Sequence, residues 1–212
     1  VSRAGPDTFI GPTACAVAPN GDIVIADGHF PRPSTAQQDG DRIVRFSTDG
    51  KFIAQWGKQG SNPGEFKGPH ALAFDSQGRL FVADRSNNRV QIFDKDMNVL
   101  DDWRHFGRPS GVWILEDDTL LVADSESSYG GFRPTELGPA PPLQAGQRRA
   151  RNAGWQNGVR IGSAKDGSLR YFISGTMPEG LAADEMGNVF AGLVIGCDAS
   201  PSGGCLQKWV KK

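Results

Sequence analysis

The chain lacks an excess of charge of either sign: 23 Lys and Arg stand against 24 Asp and Glu, a net charge of -1 over 212 residues. A broad positive field that would hold a nucleic-acid backbone is therefore excluded, and no nucleic-acid partner is expected. It also lacks any apolar run near the roughly 20 residues that cross a bilayer as a helix, so no membrane partner is expected. Cysteine is scarce, with three in all and no CxxC element, which gives a structural thiolate zinc site little support. No apolar signal core opens the chain, and VSRAGPDTF reads as an interior start with any targeting segment outside it. What is abundant is the pair of residues that interrupt regular structure. The 28 glycines and 14 prolines, about a fifth of the chain, disfavour long helices.

The spaces between those breaks repeat. GPTACAVAPNGDIVIADG from Gly11, GPHALAFDSQGRLFVADR from Gly68 and RPSGVWILEDDTLLVADS from Arg108 share one grammar. A Pro precedes a short apolar strand, a polar turn follows, and a second apolar strand closes on Ala-Asp. MPEGLAADEMGNVFAGL from Met177 is a fourth copy, in which Ala191 and Gly192 are expected in place of Ala-Asp. The first two copies continue into DRIVRFSTDGKFIAQWG and NRVQIFDKDMNVLDDWR, each an alternating strand, a turn and another strand ending on Trp56 or Trp103. Period-2 alternation with β-branched and aromatic residues marks strands, and four antiparallel strands per repeat make one propeller blade.

The fold class is therefore all-β, a β-propeller with four recognisable blades in a single domain over residues 1–212. The blades are expected near 9–60, 66–106, 108–175 and 177–212. Loop insertions are expected near 28–41 and 125–158; the second carries four prolines and the basic run Gln147 to Arg151, and reads as surface loop. The last blade has only CLQKWVKK after its second strand, so it lacks a full complement. Four blades can close, or the chain can be a piece of a six-bladed ring, and an open ring would leave edges through which copies could self-associate.

In a propeller the innermost strand follows the leading Pro, so its first residues stand at the mouth of the central channel. Those residues are Thr13, His70, Ser110 and Glu179. A second set lies just past the second strand: Gly28-His29, Arg85-Ser86 and Ser125-Glu126. His29, His70 and Glu179 can thus share one face as a His/His/carboxylate set suited to a divalent metal, with zinc the first candidate. Arg85 beside them can pair with a substrate carboxylate, and His29 can act as a base if it is not a ligand. Purely structural roles are equally open to these residues: His70 bonded to a neighbouring blade's backbone, His29 on an exposed loop, Glu179 a solvated carboxylate. Asp27, Asp84 and Asp124 read as turn caps, Trp56, Trp103 and Trp209 as outer packing, and Arg42 and Arg89 as partners of acids on the neighbouring blade. Cys197 and Cys205 flank a short loop and could form a disulfide, which would favour a secreted or periplasmic setting, or remain free thiols.

The runs PTACAVAPNGDIVIADGH and RIVRFSTDGKFIAQWGKQGSNPGEFKGPHALAFDSQGRLFVADRSNNRVQIF resemble NHL-repeat propellers, and in particular the catalytic domain of peptidyl-alpha-hydroxyglycine alpha-amidating lyases. FGRPSGVWI, ADSES, VRIGSAKDGS and MPEGLAADEMGNVFA are similar to bacterial proteins of the broader family. The resemblance implies a six-bladed propeller that cleaves a peptidyl-alpha-hydroxyglycine into a peptide amide and glyoxylate, with a channel zinc held by three histidines and with a tyrosine and arginines at the reacting carbon. It puts a metal histidine at His70 and the arginine at Arg85. The catalytic tyrosine falls on His29 and the last metal histidine on Glu179, while the blade with the first metal histidine would precede Val1. The alternative function is a non-catalytic NHL propeller that binds a protein, peptide or small molecule.

Overall fold

The computed structural model describes residues 5–6, 8–29, 40–128, 151–193 and 205–211. Short apolar runs and alternating segments there form fifteen strands. Blade 1 consists of β1 Pro12–Val17, β2 Ile23–Asp27, β3 Arg42–Phe46 and β4 Phe52–Trp56. Blade 2 consists of β5 Pro69–Phe74, β6 Leu80–Asp84, β7 Arg89–Phe93 and β8 Val99–Trp103, with a 3₁₀ turn at Arg85–Asn87 between β6 and β7. Blade 3 consists of β9 Gly111–Ile114, β10 Thr119–Asp124, β11 Gly158–Ser163 and β12 Leu169–Ser174. Blade 4 has three strands among the described residues, β13 Pro178–Ala183, β14 Val189–Leu193 and β15 Leu206–Trp209. Each sheet runs in chain order and all its pairs are antiparallel, which makes the molecule an all-β, four-bladed propeller arrangement. No helix among the described residues is long and apolar enough to cross a membrane.

Blade 2 has a neighbouring blade packed against each face, and its β6 and β7 are buried at every position. Ala26, Ile43, Phe66, Val82 and Phe93 fill the space between blades 1 and 2. Phe81, Val90, Phe106, Leu120 and Val122 fill that between blades 2 and 3, and Leu121, Val159 and Val189 that between blades 3 and 4. The innermost strands pack in the order β1, β5, β9, β13. Among the described residues no comparable packing joins β13 back to β1.

Each of the first three blades is locked by a buried Asp–Arg pair within its own sheet. Asp27, Asp84 and Asp124 accept backbone N–H groups from Gly11, Lys67 and Arg108, the residues that lead into each innermost strand. Arg42, Arg89 and Arg160 reach the same three carboxylates at 3.1, 2.7 and 3.1 Å. This corrects two expectations. Arg42 and Arg89 pair with acids of their own blade, because β2–β3 and β6–β7 register sets each Arg directly opposite its Asp. In blade 4, Leu193 pairs with Pro178 as Asp84 pairs with Pro69, so Gly192 and Leu193, not Ala191 and Gly192, stand where the other blades have Ala-Asp. Trp103 packs inward against Phe81 and Phe106. Cys15 on β1 is an exposed free thiol. Cys205 is a disulfide cysteine, and its expected partner Cys197 lies outside the described residues, as do most of the two expected insertions.

Candidate functional site

The first residues of the innermost strands do meet at the channel mouth. His70, second residue of β5, turns its ring toward blade 3, and its Nδ1–H donates to the Ser110 carbonyl at 2.7 Å. That bond fixes the tautomer: Nδ1 carries the proton and Nε2 presents a bare lone pair. Nε2 lies 3.2 Å from Glu179 Oε1, contributed by β13 two blades away. Two lone-pair atoms so close need a cation between them, and Arg85 supplies it. Its Nη1 donates to His70 Nε2 at 2.7 Å and to Glu179 Oε1 at 3.0 Å.

The other carboxylate oxygen of Glu179 is fixed by a relay of hydroxyls. Ser125 donates to Glu179 Oε2 at 2.6 Å. Its single proton thus committed, Ser125 Oγ accepts from the Ser110 hydroxyl at 2.8 Å. Ser110 is therefore linked to both partners, to His70 through its carbonyl and to Glu179 by way of the Ser125 hydroxyl, and both serines are buried. The equivalent residue of blade 1, Thr13, donates to the Pro69 carbonyl of the next blade at 2.7 Å. His29 is exposed, and its ring centre is 4.9 Å from that of His70. Ligand atoms of His29, His70 and Glu179 all lie within 4.8 Å of one another.

Burial is the largest force on His70, and with the Arg85 charge it lowers the imidazole to about 4, against the opposing pull of the Ser110 carbonyl and Glu179. The ring is neutral at neutral pH, the state a metal ligand needs. The donor set fits a divalent cation: a neutral imidazole of fixed tautomer, a carboxylate aimed at the same point, and a second imidazole alongside.

Beyond Arg85 the site opens into a cavity of about 590 Å³, lined among others by His29, Lys67, His70, Arg85, Arg108 and Arg151. Here Arg85 Nη2 contacts Glu126 Oε2 at 2.7 Å. The same oxygen faces Arg108 Nε at 3.2 Å and Arg151 Nη1 at 3.4 Å. Burial pushes the Glu126 carboxyl up, but Arg85, Arg151 and Arg108 outweigh it and hold it below the usual range. Arg108 is itself buried and anchored on the Arg85 carbonyl at 2.9 Å. A more apolar hollow of about 310 Å³, lined by Val24, Trp56, Phe74 and Met97, lies between the outer parts of blades 1 and 2, away from these groups.

Of the residues singled out by sequence, the structure brings together His29, His70, Arg85 and Glu179. The sequence puts Ser110 and Glu126 in the two repeat sets without a role, and Arg108 and Arg151 in neither. Ser110 occupies the repeat position of His70, and Glu126, two residues past Asp124, occupies that of His29, two residues past Asp27; that equivalence was the available signal. Arg108 stands where two other copies have Gly, and Arg151 closes an insertion that read as plain surface loop.

The fold agrees with the comparisons. An NHL repeat matches residues 66–93, most of blade 2. The chain is 31% identical over 193 residues to peptidyl-glycine alpha-amidating monooxygenase A of Xenopus laevis, covering 87% of this chain and 18% of that protein. It is 38% identical over 124 residues to NHL repeat-containing protein 3 of Homo sapiens, covering 55% of this chain and 33% of that one. A Caenorhabditis elegans protein named as a probable peptidyl-alpha-hydroxyglycine alpha-amidating lyase, pgal-1, is 36% identical over 93 residues, 42% of this chain and 24% of its own length. The chain thus spans a third or less of these curated relatives. Among solved structures, the RRP9 WD40 repeats superpose with a TM-score of 0.60 at 15% identity, over 95% of this chain and 51% of that one, a likeness of fold alone. The fold is a β-propeller with an NHL repeat over residues 66–93, and the chain is similar to NHL repeat-containing protein 3 and to the peptidyl-glycine amidating proteins.

Proposed function

We propose that the channel mouth is a lyase-like, metal-assisted site for a small hydroxylated or carboxylated molecule, including the end of a peptide. The observation that carries this reading is the convergence of His70, His29 and Glu179 on one point beside Arg85. When bound there by His29, His70 and Glu179, a divalent ion, zinc first among candidates, supplies a Lewis acid that polarises a hydroxyl or carbonyl oxygen.

The chain's own residues supply the rest. Ser110 keeps the His70 lone pair on the reacting side, and Ser125 keeps Glu179 from rotating away. Arg85, with Lys67, Arg108 and Arg151 around the cavity, binds and orients a carboxylate. Where the ion is held by His70 and Glu179 without His29, the His29 imidazole at the cavity wall accepts a proton from the substrate hydroxyl and returns it to the leaving group. For a peptidyl-alpha-hydroxyglycine the carbon–nitrogen bond breaks, the carbinol oxygen becomes the aldehyde of glyoxylate, and its proton ends on the amide nitrogen.

The test is incubation of zinc-loaded protein with an alpha-hydroxyglycine-extended peptide, reading glyoxylate release above the uncatalysed rate. Release that is lost in H70A and E179Q supports the reading; no release from wild type sinks its catalytic part. The second reading, a non-catalytic binding propeller, is favoured by one observation, the guanidinium already seated between His70 and Glu179. Carboxylate binding without glyoxylate release would select it.

A further inference from the structure

The cluster that fits a divalent cation already holds a cation. We infer that Arg85 is the resident counter-ion of this site, that a divalent metal and the Arg85 guanidinium bind His70 and Glu179 mutually exclusively, and that a carboxylated ligand in the adjoining cavity favours the metal by drawing Arg85 away. The inference rests on the metal reading above.

Both protons of Arg85 Nη1 are used, one on His70 Nε2 at 2.7 Å and one on Glu179 Oε1 at 3.0 Å. These are the two lone pairs a metal would need. Metal bonds to imidazole nitrogen and carboxylate oxygen are about 2.0–2.2 Å, shorter than either contact, so an ion bonded to both atoms requires the space that Nη1 fills. A divalent ion beside a guanidinium in a largely buried site is also strongly repelled. Arg85 must leave before the ion can enter.

It has somewhere to go. Its Nη2 is already on Glu126 at 2.7 Å, and its Nε is buried without a hydrogen-bond partner, so on the channel side the guanidinium is held by Nη1 alone. The cavity carries more positive charge, from Lys67, Arg85, Arg108 and Arg151, than its two carboxylates, Glu126 and Asp41, can match. Arg108 and Arg151 share the same oxygen as Arg85, and the Lys67 ammonium on the cavity wall makes no ion pair among the described residues. Moving Arg85 off Glu179 adds a further unbalanced charge there, which a small carboxylate would neutralise. Linkage makes the effect reciprocal: whatever binds Arg85 from the cavity raises the affinity of the metal cluster, and the metal raises the affinity for that anion.

Calorimetric titration of zinc into the full chain tests this with wild type, R85Q and E179Q, each checked for the native β signal by circular dichroism. R85Q is expected to bind zinc about tenfold or more tighter than wild type, and E179Q to lose the site. Saturating acetate should tighten zinc binding to wild type and leave R85Q unmoved. Equal or weaker zinc binding in R85Q overturns exclusivity while leaving the metal reading intact, and an acetate effect of equal size in both proteins overturns the coupling. Zinc binding to none of the three overturns both readings. Should R85Q fail to fold, wild-type crystals soaked in zinc decide the question. Arg85 Nη1 withdrawn from Glu179 is the expected result, and an ion on His70 and Glu179 with that hydrogen bond still made is the contrary one.

Discussion

His70 Nε2 and Glu179 Oε1 stand 3.2 Å apart, although 109 residues of chain and an intervening blade separate the strands that carry them. Each is the second residue of an innermost strand, β5 or β13, and the propeller geometry turns a shared position in the repeat into a shared position in space. Ser110, at the corresponding place in the blade between, is bonded to both through one carbonyl and one chain of hydroxyls. The contact is therefore set from three blades at once, and its properties follow from their packing.

The first consequence is a pH dependence. His70 has 12% of its side-chain surface exposed and a folded pKa of about 4, below the 6.5 of an unconstrained imidazole. The folded chain thus binds its proton less readily than the unfolded one. The stability due to this group is complete above pH 6.5 and is lost as pH falls from 6.5 toward 4, where the unfolded chain gains the proton first. Urea unfolding across that range should show a decline that H70Q reduces. An NMR titration should place the His70 midpoint near pH 4; a midpoint near 6.5 would contradict the buried, Arg85-facing ring.

A second consequence concerns metal. Anything bound by the folded state alone raises its melting temperature in proportion to the logarithm of its concentration once above Kd. Zinc should stabilise the wild-type chain, and chelation should reverse the gain. E179Q keeps the shape of the side chain and the Ser125 contact but loses the charge, so its melting temperature should no longer respond to zinc. A zinc response unchanged in E179Q would place the ion elsewhere.

Much of this was legible beforehand, for physical reasons that differ by residue. PHALAF and LFVAD are short apolar runs bounded by turn residues, which makes β5 and β6 readable as strands, and the repeat then aligns His70 with Glu179 without any knowledge of contacts. The pairing of Arg89 was not readable in the same way. An arginine has reach enough for its own blade or the next, and register alone decides in favour of Asp84. The Glu126 cluster was still further from view, since Arg151 arrives from the end of an insertion with no periodicity and Arg108 from a position that other copies fill with Gly.

Gly57 offers a test of packing between blades 1 and 2. It has φ of +89°, a conformation that L side chains rarely adopt, and a β-carbon there would overlap the ring of Phe66, which is fully buried. Phe66 cannot retreat without displacing Phe93, whose ring centre is 5.8 Å away. G57A should therefore destabilise by about 1–3 kcal/mol through backbone strain, with overpacking adding to it. Equilibrium denaturation measures this directly; a loss under about 0.5 kcal/mol would mean that the Phe66 pocket yields.

The Arg89–Asp84 pair carries the strongest expectation about stability. Both side chains are almost wholly buried at 2.7 Å, and Arg89 also reaches Asp102 at 2.7 Å and the carbonyls of Asn62 and Glu65. Replacing Arg89 with Leu strips Asp84 of its cation while leaving it out of water, a change that costs about 3–5 kcal/mol when one partner of a buried pair is lost. The exposed Lys51–Asp49 pair is the natural control, since K51A should change stability by no more than about 1 kcal/mol. The pH profile separates charge from packing. Burial already raises the Asp84 pKa, and without Arg89 its carboxyl should take a proton at higher pH still, so the R89L deficit should narrow as pH falls. A deficit that stays constant from pH 7 to pH 5 would assign the loss to the missing side-chain volume instead of the unpaired charge.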